Sequence, residues 1–401
     1  MSRRTAERLS AVAPSATLAI SARAAELRAK GVDVFAFGVG EPDFEPPGFV
    51  LEAAREAILK GASKYTAVTG LPELKEAIRD SILQRRGYAC ETQEICVSVG
   101  AKHALFNLAI ALYEPGDEVI IPAPYWVSYP EQVRMFGAKP VIVETEEANG
   151  FRVTPEALEA AITPKTKAFI LCSPSNPTGS AYDAESMGRL LDVMGKHDAW
   201  FVIDEIYADL VYDGFKHGSP RALRPDLTDR IIVVDGVSKS YAMTGWRIGW
   251  TIAPKALTKT LDLVQGQSTT NAATIAQRAA ISALRGPQDT LLEMRAKFES
   301  RRNRMVQGLN DIPGIRCRMP EGAFYAFADV RDLVGKRHAP SGKLIESDDD
   351  LARVFLDHAH VACVPGSGFG AAGYMRFSYA SNEERIDAGL ASLRRTIAEF
   401  S

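Results

Sequence analysis

A chain of 401 residues, 46% hydrophobic and 24% charged, can bury two or three structural units, and its formal charge of −3 sets 47 basic residues against 50 acidic ones. So even a balance excludes a global field for nucleic acid, membrane or a polyanionic partner, and no run approaches the ~18 uninterrupted apolar residues of a membrane span. The 5 cysteines, at positions 90, 96, 172, 317 and 363, form no C-x-x-C pair, so neither a disulfide framework nor a metal site is expected, and a reducing cytoplasm is.

The basic start MSRRTAERLS is followed by no apolar run, with Glu7 and Glu26 intervening, and reads as an ordinary cytoplasmic N-terminus. Short β-branched apolar runs then recur at 94–99, 118–121, 140–144, 167–172, 199–204, 230–235 and 248–252. Amphipathic stretches such as 101–112 and 184–197 are long enough for crossover helices between them. This alternation predicts an α/β fold with a mainly parallel seven-stranded sheet flanked by helices. From about 291 the pattern changes to a long charged helix, a strand near 322–327 and a terminal helix over 381–401, predicting a smaller α+β domain. The expected partition is a large domain over 46–295 and a small one built from 1–45 with 296–401. The polar segment 331–350 reads as a surface loop.

Gly368-Phe369-Gly370-Ala371-Ala372-Gly373 satisfies G-x-G-x-x-G, but the following residues, 374–379, read as a strand, where a dinucleotide fingerprint needs a helix. A dehydrogenase is therefore not expected.

Gly100, Trp126, Asn176, Asp204 and Lys239 fall at or just after the ends of five predicted strands, and in a parallel sheet such ends share one ligand-binding edge. Lys239 follows the run IIVVD; an amine held there can lose hydration, lower its pKa and attack a carbonyl, although most lysines are solvated. Asp204 ends a run of four apolar residues. It is either a helix cap or a buried acid that needs a cationic partner such as a protonated ring nitrogen. Tyr207 is either core or a donor near the same face. Asn176, between Pro174 and Pro177, is either turn chemistry or a ligand donor. Arg247 suits a bidentate phosphate grip, and the Gly100-Ala101-Lys102 turn offers free amides at a helix N-terminus. Trp126 can stack on a flat ring. Two anion grips near a lysine point to a phosphorylated cofactor.

With these residues assembled, the chain resembles the class I, fold type I, pyridoxal-phosphate aminotransferases, and most closely the bacterial aspartate aminotransferases of the branch that includes prephenate-accepting enzymes. The likeness runs from Pro14-Ser15-Ala16-Thr17 to Arg376-Phe377-Ser378-Tyr379-Ala380 and includes Gly40-Glu41-Pro42-Asp43, Lys64-Tyr65, Ser175-Asn176-Pro177-Thr178-Gly179 and Asp204-Glu205-Ile206-Tyr207 in order. It implies pyridoxal 5'-phosphate as cofactor, carried as a Schiff base on Lys239, with Asp204 on the ring nitrogen and Tyr207 and Asn176 on the ring oxygen. Trp126 is implied to stack on the ring, while Ser238, Arg247 and the Gly100–Lys102 turn hold the phosphate. Tyr65 is implied to reach a neighbouring subunit's phosphate, hence a homodimer with shared sites. Arg376 is implied to clamp the substrate carboxylate, Gly40 to close over it, and Lys102 either to meet a distal carboxylate or to touch only phosphate or solvent.

The resemblance implies ping-pong transfer of the amino group of L-aspartate to 2-oxoglutarate, the freed Lys239 moving the proton. Ala13 stands where prephenate-accepting members tend to carry a basic residue, so prephenate use does not follow. Broader or aromatic specificity, and a β-lyase on the same fold, are the rival chemistries. A regulator is not expected, because no DNA-binding module or basic stretch is present.

Overall fold

The computed structural model describes residues 6–13 and 16–401. Pro14 and Ser15 of the first family motif lie outside the described residues.

Seven strands form the central sheet: β1 (Ile95–Val99), β2 (Glu118–Ala123), β3 (Lys139–Glu144), β4 (Thr166–Cys172), β5 (Trp200–Asp204), β6 (Ile231–Gly236) and β7 (Ile248–Ile252). Their order is β1-β7-β6-β5-β4-β2-β3, and all pairs are parallel except the two made by β7, which is antiparallel to both neighbours. The central strands are apolar on both faces because helices cover both. Ile231, Ile232, Val233 and Val234 are at most 1% exposed, and full burial of such side chains contributes about 2 kcal/mol each. Phe169 and Phe201 stack across β4 and β5 at 5.1 Å.

The antiparallel β7 has a positional consequence: its start, not its end, lies on the edge where β4, β5 and β6 finish. Helix α1 (Pro72–Arg86) closes with Gly87 in the left-handed region at φ 76°, the conformation glycine adopts without strain. Helix α2 (Ala101–Leu112) starts directly after β1 and packs against β7 so closely that a Cβ on Gly249 would lie 2.3 Å from the Ala101 amide nitrogen. Glycine at 249 therefore lets the helix N-terminus press onto the sheet edge.

After the long helix α3 (Asp289–Asn310), a second sheet of four antiparallel strands forms from β8 (Arg316–Cys317), β9 (Tyr325–Asp329), β10 (Val364–Pro365) and β11 (Tyr374–Ser378), in the order β10-β11-β9-β8. The strand expected near 322–327 starts instead at Tyr325. Ala323 takes a positive φ of 59°, and Gly322 makes an isolated bridge to Val211, so the chain turns before the ladder begins. The 331–350 segment is also more ordered than a surface loop. Arg337–His338 pairs with Lys343–Leu344, Ile345 and His338 are fully buried, and Asp348 already opens the helix Asp348–His358. Most of its polar residues point outward while Leu333, His338, Ile345 and Asp348 are buried and anchor it, a pattern that composition alone hides. The Gly366–Phe369 turn leads to a strand, not a helix, as expected for the glycine-rich decoy.

Among the described residues, no helix is long and apolar enough to cross a membrane, and no His/Cys/Asp/Glu group could hold a metal ion. All five cysteines are buried and unpaired.

Candidate active site

The carboxyl ends of β4, β5 and β6 and the start of β7 surround one cavity of about 260 Å³. Every residue expected in the site lines it except two: Gly100, behind Ala101, and Tyr65, which lies on the surface at 86% exposure.

Lys239 arrives three residues after β6. Its Nζ donates to the Gly40 carbonyl at 2.6 Å and lies 5.8 Å and 5.7 Å from the ring centres of Tyr207 and Phe324. Burial lowers its pKa to about 8; Glu41 opposes that, whereas Arg247 and Arg376 add to it. Much of the amine is thus neutral just above physiological pH, as a nucleophile or a general base requires.

Asp204, 3% exposed, is the last residue of β5. Tyr129 Oη donates to one carboxylate oxygen at 2.8 Å and the Ile206 amide to the other at 3.1 Å. Burial raises its pKa to about 6 against these bonds and the charge of Lys239. No arginine or lysine pairs with it at ion-pair distance among the described residues, so a buried acid facing a cavity has room for a cationic partner.

Arg247, exposed and in the left-handed region at φ 57°, donates Nη1 to the Thr244 carbonyl at 2.7 Å. Gly100, at φ 83°, lies against it: a Cβ there would sit 2.5 Å from Arg247 Nη2. The glycine therefore brings a guanidinium beside the free amides of α2, a cradle for a dianion. Lys102 extends over Trp126, its Nζ 5.0 Å from the ring centre, and desolvation followed by the charge of Arg247 lowers its pKa.

At the far end Arg376, 2% exposed on β11, donates Nη1 to Asn176 Oδ1 at 2.8 Å and Nη2 to the Gly38 carbonyl at 2.7 Å. Its buried Nε has no protein partner. Burial lowers its pKa, yet a guanidinium stays protonated in water. The cavity therefore holds an amine, a buried acid, a dianion cradle and a spare arginine donor, which together fit a phosphorylated pyridine aldehyde and a carboxylate-bearing substrate.

Sequence reasoning assigned no role to Tyr129 and did not single out Tyr325. Tyr129 lies three residues after Trp126 and just before Pro130, with no local sign that its hydroxyl reaches Asp204. Tyr325 comes from a different sheet, and its hydroxyl meets Tyr207 Oη at 2.7 Å. A buried ionic network behind the Lys239 loop was also missed: Asp209 accepts from Ser240 Oγ at 2.8 Å and from Arg86 at 2.7 Å, and pairs with Arg85.

A larger cavity of about 600 Å³ opens beyond Lys102 and Arg247, its wall including Ala13, Phe106, Tyr125 and Met135. The Ala13 amide donates to Glu131 at 2.7 Å.

Residues 32–393 match the family model for aminotransferase class I and II. The chain is 48% identical over 388 residues to an aspartate aminotransferase of Rhizobium meliloti, covering 96% of this chain and 94% of that one. It is 46% identical over 391 residues to a probable aspartate/prephenate aminotransferase of Rhizobium leguminosarum bv. phaseoli, covering 97% and 98%. Among solved structures it is similar to the Rhizobium meliloti aspartate aminotransferase, with a TM-score of 0.96 at 46% identity over the whole of both chains. It is also similar to the Thermus thermophilus aspartate aminotransferase with maleate, with a TM-score of 0.92 at 40% identity over 98% and 100% of the chains.

Proposed function

The chain belongs to the class I and II aminotransferases, enzymes that use pyridoxal 5'-phosphate, and from that premise we propose that it moves the amino group of L-aspartate to 2-oxoglutarate, giving oxaloacetate and L-glutamate. The observation that carries the substrate reading is two cations, Arg376 and Lys102, in the lining of one cavity, one for each carboxylate of a dicarboxylate. A relative solved with maleate, itself a four-carbon dicarboxylate, supports it.

The bound cofactor supplies the aldehyde through which amino groups exchange and a ring that spreads negative charge from the substrate α-carbon. Lys239 is proposed to hold it at rest and, once released, to carry a proton to and from that carbon; a pKa lowered to about 8 suits both tasks. The Asp204 carboxylate faces the ring nitrogen and gains the cation that its burial lacks. Tyr207 and Asn176 would donate to the ring oxygen, Trp126 would stack on the ring, and Arg247, Ser238 and the Gly100–Lys102 turn would hold the phosphate. Arg376 would take the α-carboxylate, with Gly40 in the same lining, and Lys102 would take the distal carboxylate.

The exposure of Tyr65 supports its reaching a second subunit's phosphate across a homodimer. The two separate sheets support a large unit over 46–295 and a small one from 1–45 with 296–401. A cytoplasmic location agrees with five unpaired cysteines.

The chamber beyond Lys102 favours a second reading, acceptance of bulkier aromatic side chains. Mixing holoenzyme with aspartate and no acceptor tests both the reaction and the substrate. Release of about one oxaloacetate per active site is expected, as ping-pong transfer requires; no oxaloacetate from aspartate, with catalytic release of ammonia and pyruvate from a donor that carries a β leaving group such as cysteine, would indicate a β-lyase. A kcat/KM for phenylalanine above that for aspartate would select the second reading.

A further inference from the structure

We propose that Tyr325 is a positioning residue that joins the arginine end of the cavity to its tyrosine end, so that the hydroxyl of Tyr207 donates correctly only while Tyr325 holds it. The inference rests on the amino-transfer reading above.

Tyr325 opens β9, where it pairs with Ser378 on β11, two residues beyond Arg376. Its ring lies 4.5 Å from Arg376 Cζ, and the Phe369 ring lies 5.0 Å from the same carbon. Two aromatic rings thus fix the guanidinium, leaving Nη1 on Asn176 and Nη2 on Gly38.

Its hydroxyl, 2.7 Å from Tyr207 Oη, is buried. It also sits over Gly40, where a Cβ would lie 2.9 Å away, and the Gly40 carbonyl is the acceptor for Lys239. One side chain from the second sheet therefore touches Arg376, Tyr207 and Gly40. The Tyr207 and Tyr325 rings meet edge to face at 5.7 Å and 78°.

A phenol can accept and donate at once. When Tyr207 donates to an oxygen in the cavity, Tyr325 is left to donate to Tyr207. Hydrogen bonds in such a chain strengthen one another. Removing the Tyr325 hydroxyl weakens the donor at the ring oxygen. The proton shared between that oxygen and the Lys239 nitrogen is then held more tightly.

The test is a pH titration of visible absorbance in the PLP-loaded wild type, Tyr325→Phe, Tyr207→Phe and the double variant, with aspartate kinetics alongside. Phenylalanine at 325 keeps the ring stack and deletes one oxygen. The expected result is an absorbance pKa raised by about half a pH unit in Tyr325→Phe, in line with loss of one modest hydrogen bond. The shift should be absent when position 207 is already Phe, and kcat should fall several-fold with little change in KM. An unchanged pKa, or an equal shift in the Tyr207→Phe background, would overturn the coupling. A wild type that binds PLP yet releases no oxaloacetate from aspartate overturns the functional reading itself.

Discussion

Asp204 and Asp209 are five residues apart, both buried, and they behave in opposite ways. Asp204 faces the cavity with only a phenol and an amide as donors, and burial pushes its pKa up to about 6. Asp209 lies behind the Lys239 loop, where Arg85, Arg86 and Ser240 hold its carboxyl well below the usual range despite burial. Arg86 extends the rear network to Glu205 at 3.6 Å and Asp235 at 3.8 Å. The difference separates a supporting charge from a working one. Behind the loop Asp209 is balanced by two arginines, while the pKa of Asp235, at the far end of that network, is pushed up to about 8 by burial; in front, Asp204, Lys239 and Arg376 each keep capacity for something else to complete.

The largest effect that can break this contrast is at Lys239. Lys239→Ala should lower kcat by about 10³ to 10⁴-fold, while the melting temperature of the cofactor-free protein holds or rises. A collapse in melting temperature would make the lysine structural. Next come the two acids. Asp209→Asn should lower cofactor-free stability by about 1 to 3 kcal/mol, because it removes the charged partner of Arg85 and the nearest one of Arg86, which keeps Glu205 and Asp235. Asp204→Asn should cut turnover about 100-fold yet leave stability unchanged or higher, as measured by urea unfolding.

A pH dependence sharpens the same point. The folded pKa of Lys239 is lowered from 10.5 to about 8. Between those values the unfolded chain binds the proton and the folded one does not, so its contribution to stability rises with pH. Cofactor-free wild type should therefore gain on Lys239→Met between pH 8 and 10.5, by about 3 kcal/mol at most. The smallest effect is expected at Lys102: Lys102→Met should reduce kcat/KM for aspartate about fivefold and leave phenylalanine nearly unchanged, since one partly hydrated ion pair is worth about 1 kcal/mol.

The seven sheet strands were legible because each is a short apolar run bounded by turn residues, and all but the edge strand β3 are largely buried. The reversed direction of β7 was not, since an apolar run such as Ile248–Ile252 reads the same both ways. Lys239 and Asp204 were legible from strand-end placement, and Arg247 as an arginine in a glycine- and tryptophan-rich turn eight residues after Lys239. Arg376 was reached only by resemblance, because its value depends on Asn176 and Gly38, far away in sequence. Tyr325 and Tyr129 left no local trace: a tyrosine in a strand or after a turn looks like core until its hydroxyl's partner is seen. The rear network was invisible for the same reason, its arginines closing α1 as ordinary C-terminal charges.

The antiparallel β7 places Lys239 and Arg247 on a single hairpin, eight residues apart in the chain. Hairpins of this kind close within about 1–10 μs, and the central sheet is complete at Ile252, whereas Tyr325 and Arg376 belong to a later sheet. During synthesis the ribosome has therefore finished Lys239 and Arg247 well before it makes Tyr325 and Arg376. On the roles proposed above, the capacity to hold the cofactor and the capacity to select a substrate are laid down one after the other.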